Sequence, residues 1–271
     1  MSTRHVITLL VASTLLLVAC GSDASEDGGA TASDAPIVLV HGAWQDGSSW
    51  AQVQQQLEGD GRNVSAVTLP GRDGDDAGAQ TLDGYRDAVI AEVETYDEPV
   101  ILVGHSFGGM TISAVAEAIP DQIESLVYLA AYLPSDGDSL STLAEGDRLS
   151  VLGEDGNLDI AADFSVATVP QDRFAAIFCP DCGAADAETV TASALVEPAM
   201  PLATPVSLTA ENFGAVPKFY IMTAQDIVVG PQLQASMVAN TPVDEVFVLD
   251  AGHAPYVSAA DDVAGLLVGL P

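Results

Sequence analysis

The chain has 271 residues, of which 39 are Asp or Glu and only 7 are Lys or Arg, so its formal net charge at pH 7 is −32. This length suits one large α/β domain with a substantial core and would be cramped for two. Because such a chain repels phosphates, its charge argues against nucleic acid as a partner. An acidic surface suits a salty exterior, although an ordinary exported acidic protein fits equally well.

The first predicted element is a secretory signal. Arg4 precedes an apolar run at residues 6–18, and Ala19 and Cys20 follow it. The run is too short to span a bilayer, which disfavours the alternative of an uncleaved anchor. A small residue before cysteine resembles the bacterial lipobox, which implies that Cys20 is lipidated after removal of residues 1–19. We therefore expect an exported protein, attached by lipid to the bacterial cell envelope.

The predicted domain follows a flexible tether. Residues 20–35 contain small and acidic residues and almost no large apolar ones, a composition typical of a flexible linker. We expect the folded domain to comprise residues 36–271.

Short apolar runs alternate with helical patterns along that domain. The runs lie at residues 37–40, 64–68, 100–103, 126–129, 219–222 and 246–249. Runs of this kind are typical of buried parallel strands. Helical periodicity at residues 82–93 and 257–267 separates them. The pattern predicts βαβ units, hence an α/β fold with a mostly parallel, doubly wound sheet.

A serine follows the third run in a characteristic turn. Ser106 lies in Gly-His-Ser-Phe-Gly-Gly, between the apolar run 100–103 and a helical pattern at 110–119. A strand, a sharp turn and a helix are the context of a nucleophile elbow, and the glycines at 104 and 108 allow the close backbone approach it needs. Serine is a weak nucleophile unless a nearby base takes its proton.

The alternation of strands and helices stops between residues 134 and 217. We predict an inserted cap at about residues 135–216, with an Ala-rich helix at 184–195. Such an insertion would roof the crevice at the carboxyl ends of the strands. An unstructured insert is the alternative, which the apolar residues Phe174, Ile177 and Phe178 disfavour.

Two cysteines lie within the predicted cap. Cys179 and Cys182 form a Cys-Pro-Asp-Cys pair, and outside the cytoplasm a disulfide is the favoured interpretation. A redox motif and two unpaired thiols remain open. Two thiols are too few for a zinc site, so no metal is expected.

The histidines identify a candidate base. His5 lies in the signal, His41 opens a turn after the first strand, and His105 immediately precedes the serine and should point away from it. His253 lies in Gly-His-Ala-Pro after the last strand and has no competing assignment. We therefore predict that His253 is the base for Ser106.

An acidic partner for the histidine is expected at a strand end between the serine and the histidine. Asp226 follows the strand at 218–223 by a short loop. Asp250 is closer in sequence to the histidine, but it would need an unusual loop to meet the imidazole. Chain order and spacing favour Asp226.

The remaining site residues surround the elbow. An oxyanion hole requires backbone donors, which we predict at the N–H groups of Phe107, directly after the nucleophile, and Ala43, in the loop after the first strand. Trp44 is expected to pack there and to edge the substrate pocket. Trp50 is expected to be a packing residue.

With these residues assigned, the chain resembles the α/β-hydrolase superfamily, and within it the branch of plant salicylate-binding methyl esterases, hydroxynitrile lyases and bacterial relatives. The resemblance spans about residues 36–267. It rests on Ile-Val-Leu-Val-His-Gly-Ala-Trp at 37–44, the elbow at 100–110, Leu-Ala-Ala-Tyr-Leu-Pro at 129–134, Phe-Gly at 213–214, Asp226 and His253. It implies an α/β-hydrolase fold, a Ser-Asp-His triad under a helical cap, and ester or related acyl substrates.

Two positions distinguish activities within the branch. In hydroxynitrile lyases the loop after the first strand resembles His-Thr, and a lysine directly follows the catalytic histidine. This chain has Gly42 and Ala254 instead. We therefore expect a serine carboxylesterase for small or medium esters, without metal or organic cofactor, and disfavour the lyase. Two alternatives remain, namely a non-enzymatic lipoprotein that binds small ligands and a perhydrolase.

Overall fold

Nine strands occur in the part of the chain that the computed structural model describes, residues 32–72 and 76–271. They are β1 (Ile37–Val40), β2 (Val64–Val67), β3 (Val100–His105), β4 (Ile123–Leu129), β5 (Asp159–Ile160), β6 (Val166–Thr168), β7 (Glu197–Pro198), β8 (Lys218–Thr223) and β9 (Glu245–Leu249). Six strands form a sheet in the order β2-β1-β3-β4-β8-β9, and β5, β6 and β7 form a second sheet.

All pairings in the six-stranded sheet are parallel, as predicted. Leu39 of β1 lies opposite Val103 of β3, and β1 and β3 are buried along their whole length. The prediction of burial is wrong at the edge strand β9, where 64% of Val248 is exposed. An edge strand has a neighbour on one side only and less covering structure, so its apolar run does not report burial.

Ten α-helices accompany these strands among the described residues. They are α1 (Ala51–Gly59), α2 (Leu82–Val93), α3 (Gly108–Ala118), α4 (Leu140–Ala144), α5 (Gln171–Phe178), α6 (Ala184–Ala192), α7 (Ala199–Ala203), α8 (Pro231–Asn240), α9 (Pro255–Ser258) and α10 (Ala260–Val268). The bounds of α2 are as predicted, and Thr81 caps it by accepting the N–H of Gly84 at 3.0 Å. The predicted helix at 257–267 is two helices, because Ala259 leaves helical backbone geometry (φ −142°, ψ 40°).

The strand order explains where a ligand can bind. From β1 the chain moves to β2 at one edge, whereas from β3 it moves to β4 in the opposite direction. Since parallel crossovers are right-handed, this reversal puts helices on both faces of the sheet. α1 packs against α10, and α2 packs against α3. The crevice at the reversal lies beyond the carboxyl ends of β1 and β3.

The segment between β4 and β8 is folded, and residues 135–216 of it are called the cap below. It contains α4 to α7 and the small antiparallel sheet β5-β6-β7. Phe174, Ile177 and Phe178 are buried along one side of α5. The sequence did not predict the small sheet, because strands of two or three residues are too short to show a periodicity.

The compact unit begins at Ala32. The N–H of Ser33 donates to the carbonyl of Leu270 at 2.9 Å, and the Arg62 guanidinium donates to the carbonyl of Ala35 at 2.8 Å. Ser33 and Ala35, near the end of the predicted tether, therefore contact the domain. Residues 1–31, with the predicted signal and Cys20, lie outside the described part of the chain. No helix within the described ranges is long and apolar enough to cross a membrane.

Close backbone contact joins β3 to α3 on either side of Ser106. A Cβ atom on Gly104 would lie 2.8 Å from the carbonyl carbon and oxygen of Gly108, and one on Gly108 would lie 2.7 Å from the carbonyl oxygen of Val40. Backbone atoms cannot yield as flexible side chains do. These two positions therefore require glycine for the helix to start directly after the strand.

We predict that Gly104→Ala lowers the free energy of unfolding by about 1–3 kcal/mol, the usual cost of overpacking a core. Gly265→Ala in α10 is the matched control, because a Cβ atom there meets nothing within 4 Å. That control should stabilise the protein by about 0.5–1 kcal/mol. Urea denaturation measures both. A Gly104→Ala protein as stable as the unmodified chain would contradict the packing argument.

Candidate active site

Ser106 is held in an unusual backbone conformation at the end of β3. Its φ is 52°, in the left-handed region that costs a non-glycine residue about 1–3 kcal/mol. The Ser106 carbonyl accepts the N–H groups of Gly109 at 3.1 Å and Tyr132 at 3.0 Å, and the Ser106 N–H donates to Leu129 at 3.3 Å. These bonds tie the turn to α3 and to the chain after β4, so the surrounding structure maintains the strained conformation.

A line of hydrogen bonds runs from Ser106 through His253 to Asp226. The Nδ1 atom of His253 lies 2.8 Å from Oδ2 of Asp226, and its Nε2 atom lies 2.9 Å from the Ser106 hydroxyl oxygen. A carboxylate only accepts, so Nδ1 carries the proton and Nε2 is free to accept the serine O–H. All three residues are buried, with exposed fractions of 5% for Ser106, 2% for Asp226 and 1% for His253.

The carboxylate of Asp226 is oriented by the loop in which it lies. Its Oδ1 atom accepts the N–H groups of Val228 at 2.8 Å and Val229 at 2.9 Å, and its Oδ2 atom accepts the hydroxyl of Thr223 at 3.0 Å. These bonds turn Oδ2 toward His253. Asp250, the rival from the sequence, is exposed and accepts the side-chain amide of Gln225 at 2.7 Å. The structure thus brings Asp226 to the histidine, and Asp250 to another partner.

His105 supports the backbone of His253. Its Nε2–H donates to the His253 carbonyl at 2.8 Å, and the two ring centroids are 4.7 Å apart. Burial lowers the pKa of His105 well below its ordinary value, so its ring is neutral. His105 therefore helps to position the loop that carries His253, through a hydrogen bond to the His253 main chain. The sequence did not predict this contact.

His41 is occupied by its own turn. The N–H of Leu69 donates to its Nε2 atom at 3.0 Å, so Nδ1 carries the proton and donates to the Gly42 carbonyl at 2.7 Å. Burial, helped by the positive charge of Arg72, lowers the pKa of His41 to about 3. The ring is neutral at ordinary pH and fixes the loop that follows β1.

That loop, residues 41–45, lies directly against the elbow and is called the oxyanion loop below. A Cβ atom on Gly42 would lie 2.8 Å from Nδ1 of His105 and from the Cβ atom of Ser106. Ala43 and Phe107 are both buried. Within the described ranges, the N–H groups of Ala43 and Phe107 donate to no protein acceptor. Two unpaired donors thus flank the serine, as an oxyanion hole requires.

Trp44 joins the oxyanion loop to the cap. Its indole N–H donates to the carbonyl of Ala167 at 3.1 Å, and its ring lies 5.6 Å from that of Phe178. The Phe178 ring is in turn 5.7 Å from the His253 ring. Cap residues therefore cover both the loop and the histidine. Trp50 is fully buried against His105 and Tyr256, as a packing residue would be.

An apolar cavity of about 330 Å³ extends from Trp44 and Tyr132 into the cap. Tyr132 connects it to the elbow, because its N–H donates to the Ser106 carbonyl. The walls carry two carboxylates, Glu145 and Asp147, and no lysine, arginine or histidine among the lining residues of the described chain. The other walls are mostly apolar and include Leu140, Leu152, Leu158, Ile160, Phe164, Ala167, Ala199 and Leu202.

A disulfide bond joins Cys179 and Cys182. Between them, Asp181 accepts the N–H of Gly252 at 2.8 Å, one residue before His253. The turn of the cap that contains the disulfide thus directly contacts the loop that carries His253. No group of three or more His, Cys, Asp or Glu residues suited to a metal ion occurs in residues 32–72 and 76–271.

Three polar residues near the site were not predicted from the sequence, namely Gln234, Asp181 and Glu197. Gln234 is fully buried in α8, accepts the N–H of Thr223 at 3.0 Å and donates to the carbonyl of Val229 at 2.6 Å, so it clamps both sides of the Asp226 loop. Its only signal is its position three residues before the buried Met237. The two acidic residues gave no signal, because a chain with 39 carboxylates does not distinguish them.

Comparison with known proteins finds similar proteins from plants. The chain is 28% identical to methylesterase 7 of Arabidopsis thaliana over 254 residues, which cover 86% of this chain and 94% of that protein. It is 29% identical to salicylic acid-binding protein 2 of Nicotiana tabacum over 228 residues, 77% of this chain and 86% of that one. These relatives confirm the resemblance to the plant methyl esterase branch.

A solved structure and a family match agree with these relatives. A pyrethroid hydrolase from Sphingobium faniae JZ-2 superimposes with a TM-score of 0.77 at 26% identity, covering 86% of this chain and 95% of that one. Residues 37–266 match the alpha/beta hydrolase family. The predicted fold is therefore confirmed, and the chain belongs to the alpha/beta hydrolase family.

Proposed function

We propose that the protein is a serine carboxylesterase that hydrolyses small or medium, uncharged esters. The observation that carries the proposal is the unbroken line of hydrogen bonds from Ser106 through His253 to Asp226, beside an apolar cavity. Relatives named as a methylesterase and a pyrethroid hydrolase support ester hydrolysis as the reaction.

The proposed reaction uses the triad in two steps. His253 Nε2 takes the proton from Ser106 as its Oγ attacks the ester carbonyl carbon, and then gives that proton to the leaving alcohol. The resulting acyl-serine is hydrolysed by a water molecule that His253 deprotonates in the same way. Asp226 holds the imidazole in the required tautomer and stabilises it when it becomes positively charged.

The negative oxygen of each tetrahedral intermediate needs donors that are already in place. In our proposal the N–H groups of Ala43 and Phe107 supply them, because both are buried beside the serine and have no acceptor among the residues of the described structure. Removing one such donor typically lowers the rate about 10²- to 10³-fold.

Two features favour hydrolysis over cyanohydrin cleavage. The residue after His253 is Ala254, a fully buried apolar side chain that offers no positive charge to a departing cyanide. The cavity walls also lack a basic group among the described residues. Water attack on an acyl-serine needs only the triad and the oxyanion donors.

We further propose that the protein is exported and attached by lipid through Cys20. The support is the apolar run at residues 6–18 with its small residue before cysteine. The disulfide between Cys179 and Cys182 supports it as well, because such bonds persist in oxidising compartments.

In a bacterial host that processes lipoproteins, the unmodified chain should fractionate with membranes and carry the mass of a lipidated N-terminal cysteine. The Cys20→Ser chain should lose both properties, whereas Cys182→Ser should keep them. Cell fractionation and intact mass spectrometry measure these outcomes. An unmodified chain without added lipid would contradict the attachment.

Ser106→Ala should reduce kcat/KM for p-nitrophenyl acetate about 10⁴-fold or more, because no other group can form the acyl intermediate. Asp226→Asn should lower kcat by about 10⁴-fold by selecting the wrong histidine tautomer. Asp250→Asn is the matched control and should retain activity. Steady-state kinetics on variants with an unchanged thermal midpoint provide the measurement, and turnover retained by the Ser106→Ala protein would refute the proposal.

Carboxylates at the cavity should also discriminate between esters by charge. At low salt, KM for 3-carboxyphenyl acetate should exceed that for 3-tert-butylphenyl acetate about tenfold or more, because Glu145 and Asp147 repel an anion in the apolar cavity. Glu145→Gln should narrow the ratio, and Glu154→Gln, outside the cavity, should not. Equal KM values for the two esters in the unmodified protein would count against this cavity as the substrate site.

A further inference from the structure

A buried ion pair lies behind the oxyanion loop. Glu197, in the cap strand β7, and Arg72 have fully buried side chains, and their Oε2 and Nη2 atoms are 2.5 Å apart. The hydroxyl of Tyr85 in α2 donates to the other carboxylate oxygen at 3.0 Å. Burial raises the pKa of the Glu197 carboxyl, and the charge of Arg72 opposes that effect. The charge of Arg72 therefore favours the ionised form of the carboxyl against the effect of burial.

The same carboxylate binds the backbone of the oxyanion loop. Its Oε2 atom accepts the N–H of Trp44 at 2.8 Å. The carbonyl of Trp44 accepts the N–H of Leu195 at 2.8 Å, two residues before Glu197 in the cap. Arg72 completes the contact by donating from Nε to the carbonyl of Gln45 at 2.8 Å. The ion pair and the cap thus hold three backbone polar groups on two successive residues of the loop, Trp44 and Gln45.

The loop needs this support because its conformation is unfavourable by itself. Trp44 has a φ of 61°, a left-handed backbone that large side chains rarely adopt. The Trp44 N–H belongs to the peptide group that follows Ala43, so its bond to Glu197 restricts the rotation of that peptide. The peptide group that carries the Ala43 N–H, the donor proposed for the oxyanion, is joined to it at the Ala43 Cα, so fixing one peptide group limits where the other can lie.

We propose that Glu197 is a positioning residue that, together with Arg72, fixes the oxyanion loop in the conformation that presents the Ala43 N–H to the reacting carbonyl oxygen. This proposal rests on the esterase function proposed above. Glu197 is not among the residues that line the substrate cavity, so it acts through Trp44 and not on the substrate. The cap strand that carries it thereby becomes part of the catalytic apparatus, beyond its role as a roof.

If the ion pair only stabilised the fold, its removal without loss of folding would leave turnover unchanged. Replacing a buried ion pair by apolar residues often leaves stability unchanged, whereas removing one partner leaves the other charge buried and unpaired. The double variant Glu197→Leu/Arg72→Leu avoids that unpaired charge. Tyr85→Phe is the matched control, because it removes the hydroxyl that bonds to Glu197 and Arg72. It leaves in place the bond that the Trp44 N–H donates to Glu197 and the bond that Arg72 donates to Gln45.

The experiment compares turnover with the binding of a transition-state analogue. An aryl trifluoromethyl ketone forms a hemiketal with the serine, and its negative oxygen requires the same donors as the reaction. In the double variant, kcat/KM for p-nitrophenyl acetate and the affinity for the ketone should fall together by about 10²- to 10³-fold, with KM changed by less than about threefold. Tyr85→Phe should change each quantity by less than about threefold, since the loop keeps its acceptor.

The conservative variant Glu197→Gln protects the test if the double variant does not fold. Its amide oxygen can still accept the Trp44 N–H but has lost the charge of the ion pair, so turnover and ketone affinity should fall together by about tenfold. Folded variants with undiminished ketone affinity, or with a change in KM alone, would overturn the proposal. Absence of turnover and of ketone binding in the unmodified protein would instead overturn the esterase function on which it rests.

Discussion

The close approach of α3 to β3 at Gly104 and Gly108 is the constraint on which the site depends. Only two residues separate β3 from α3, so the chain must turn sharply, and Ser106 takes a left-handed φ of 52°. The same approach brings the oxyanion loop against the elbow, since Gly108 also lies close to the carbonyl groups of Val40 and His41. The conformation of Ser106 and the position of the oxyanion loop therefore have one physical origin, the absence of side chains at Gly104 and Gly108.

A second constraint comes from the cap, which contacts both His253 and the oxyanion loop, two elements that the proposed reaction uses. Asp181 binds the backbone before His253, Phe178 covers the histidine ring, and Glu197 binds the oxyanion loop. Each contact joins a cap residue to a loop at the carboxyl ends of the strands. In the proposed reaction, a cap attached in this way would set the geometry of catalysis as well as the shape of the substrate cavity, so changes in specificity and changes in rate should be hard to separate in this protein.

Local sequence signals predicted a mostly parallel sheet and the candidate residues Ser106, Asp226 and His253, because each of these residues follows a strand whose apolar run is visible in the chain. They failed where long-range contacts decide. The Val246 and Val248 run looks buried but lies at a sheet edge, and the strands of the cap are too short to have a pattern. Glu197 binds Trp44 across 153 positions of the chain, and nothing in the sequence next to this buried carboxylate distinguishes it from the carboxylates at the surface.

Covalent labelling shows whether Ser106 is a nucleophile activated by His253. The protein is incubated with a fluorophosphonate, and the adduct is located by intact mass and peptide mapping. We expect one adduct per chain, on Ser106, formed more slowly in the presence of an ester substrate and not formed when His253 is replaced by alanine. Continued ester hydrolysis by a chain whose Ser106 remains unlabelled would contradict it.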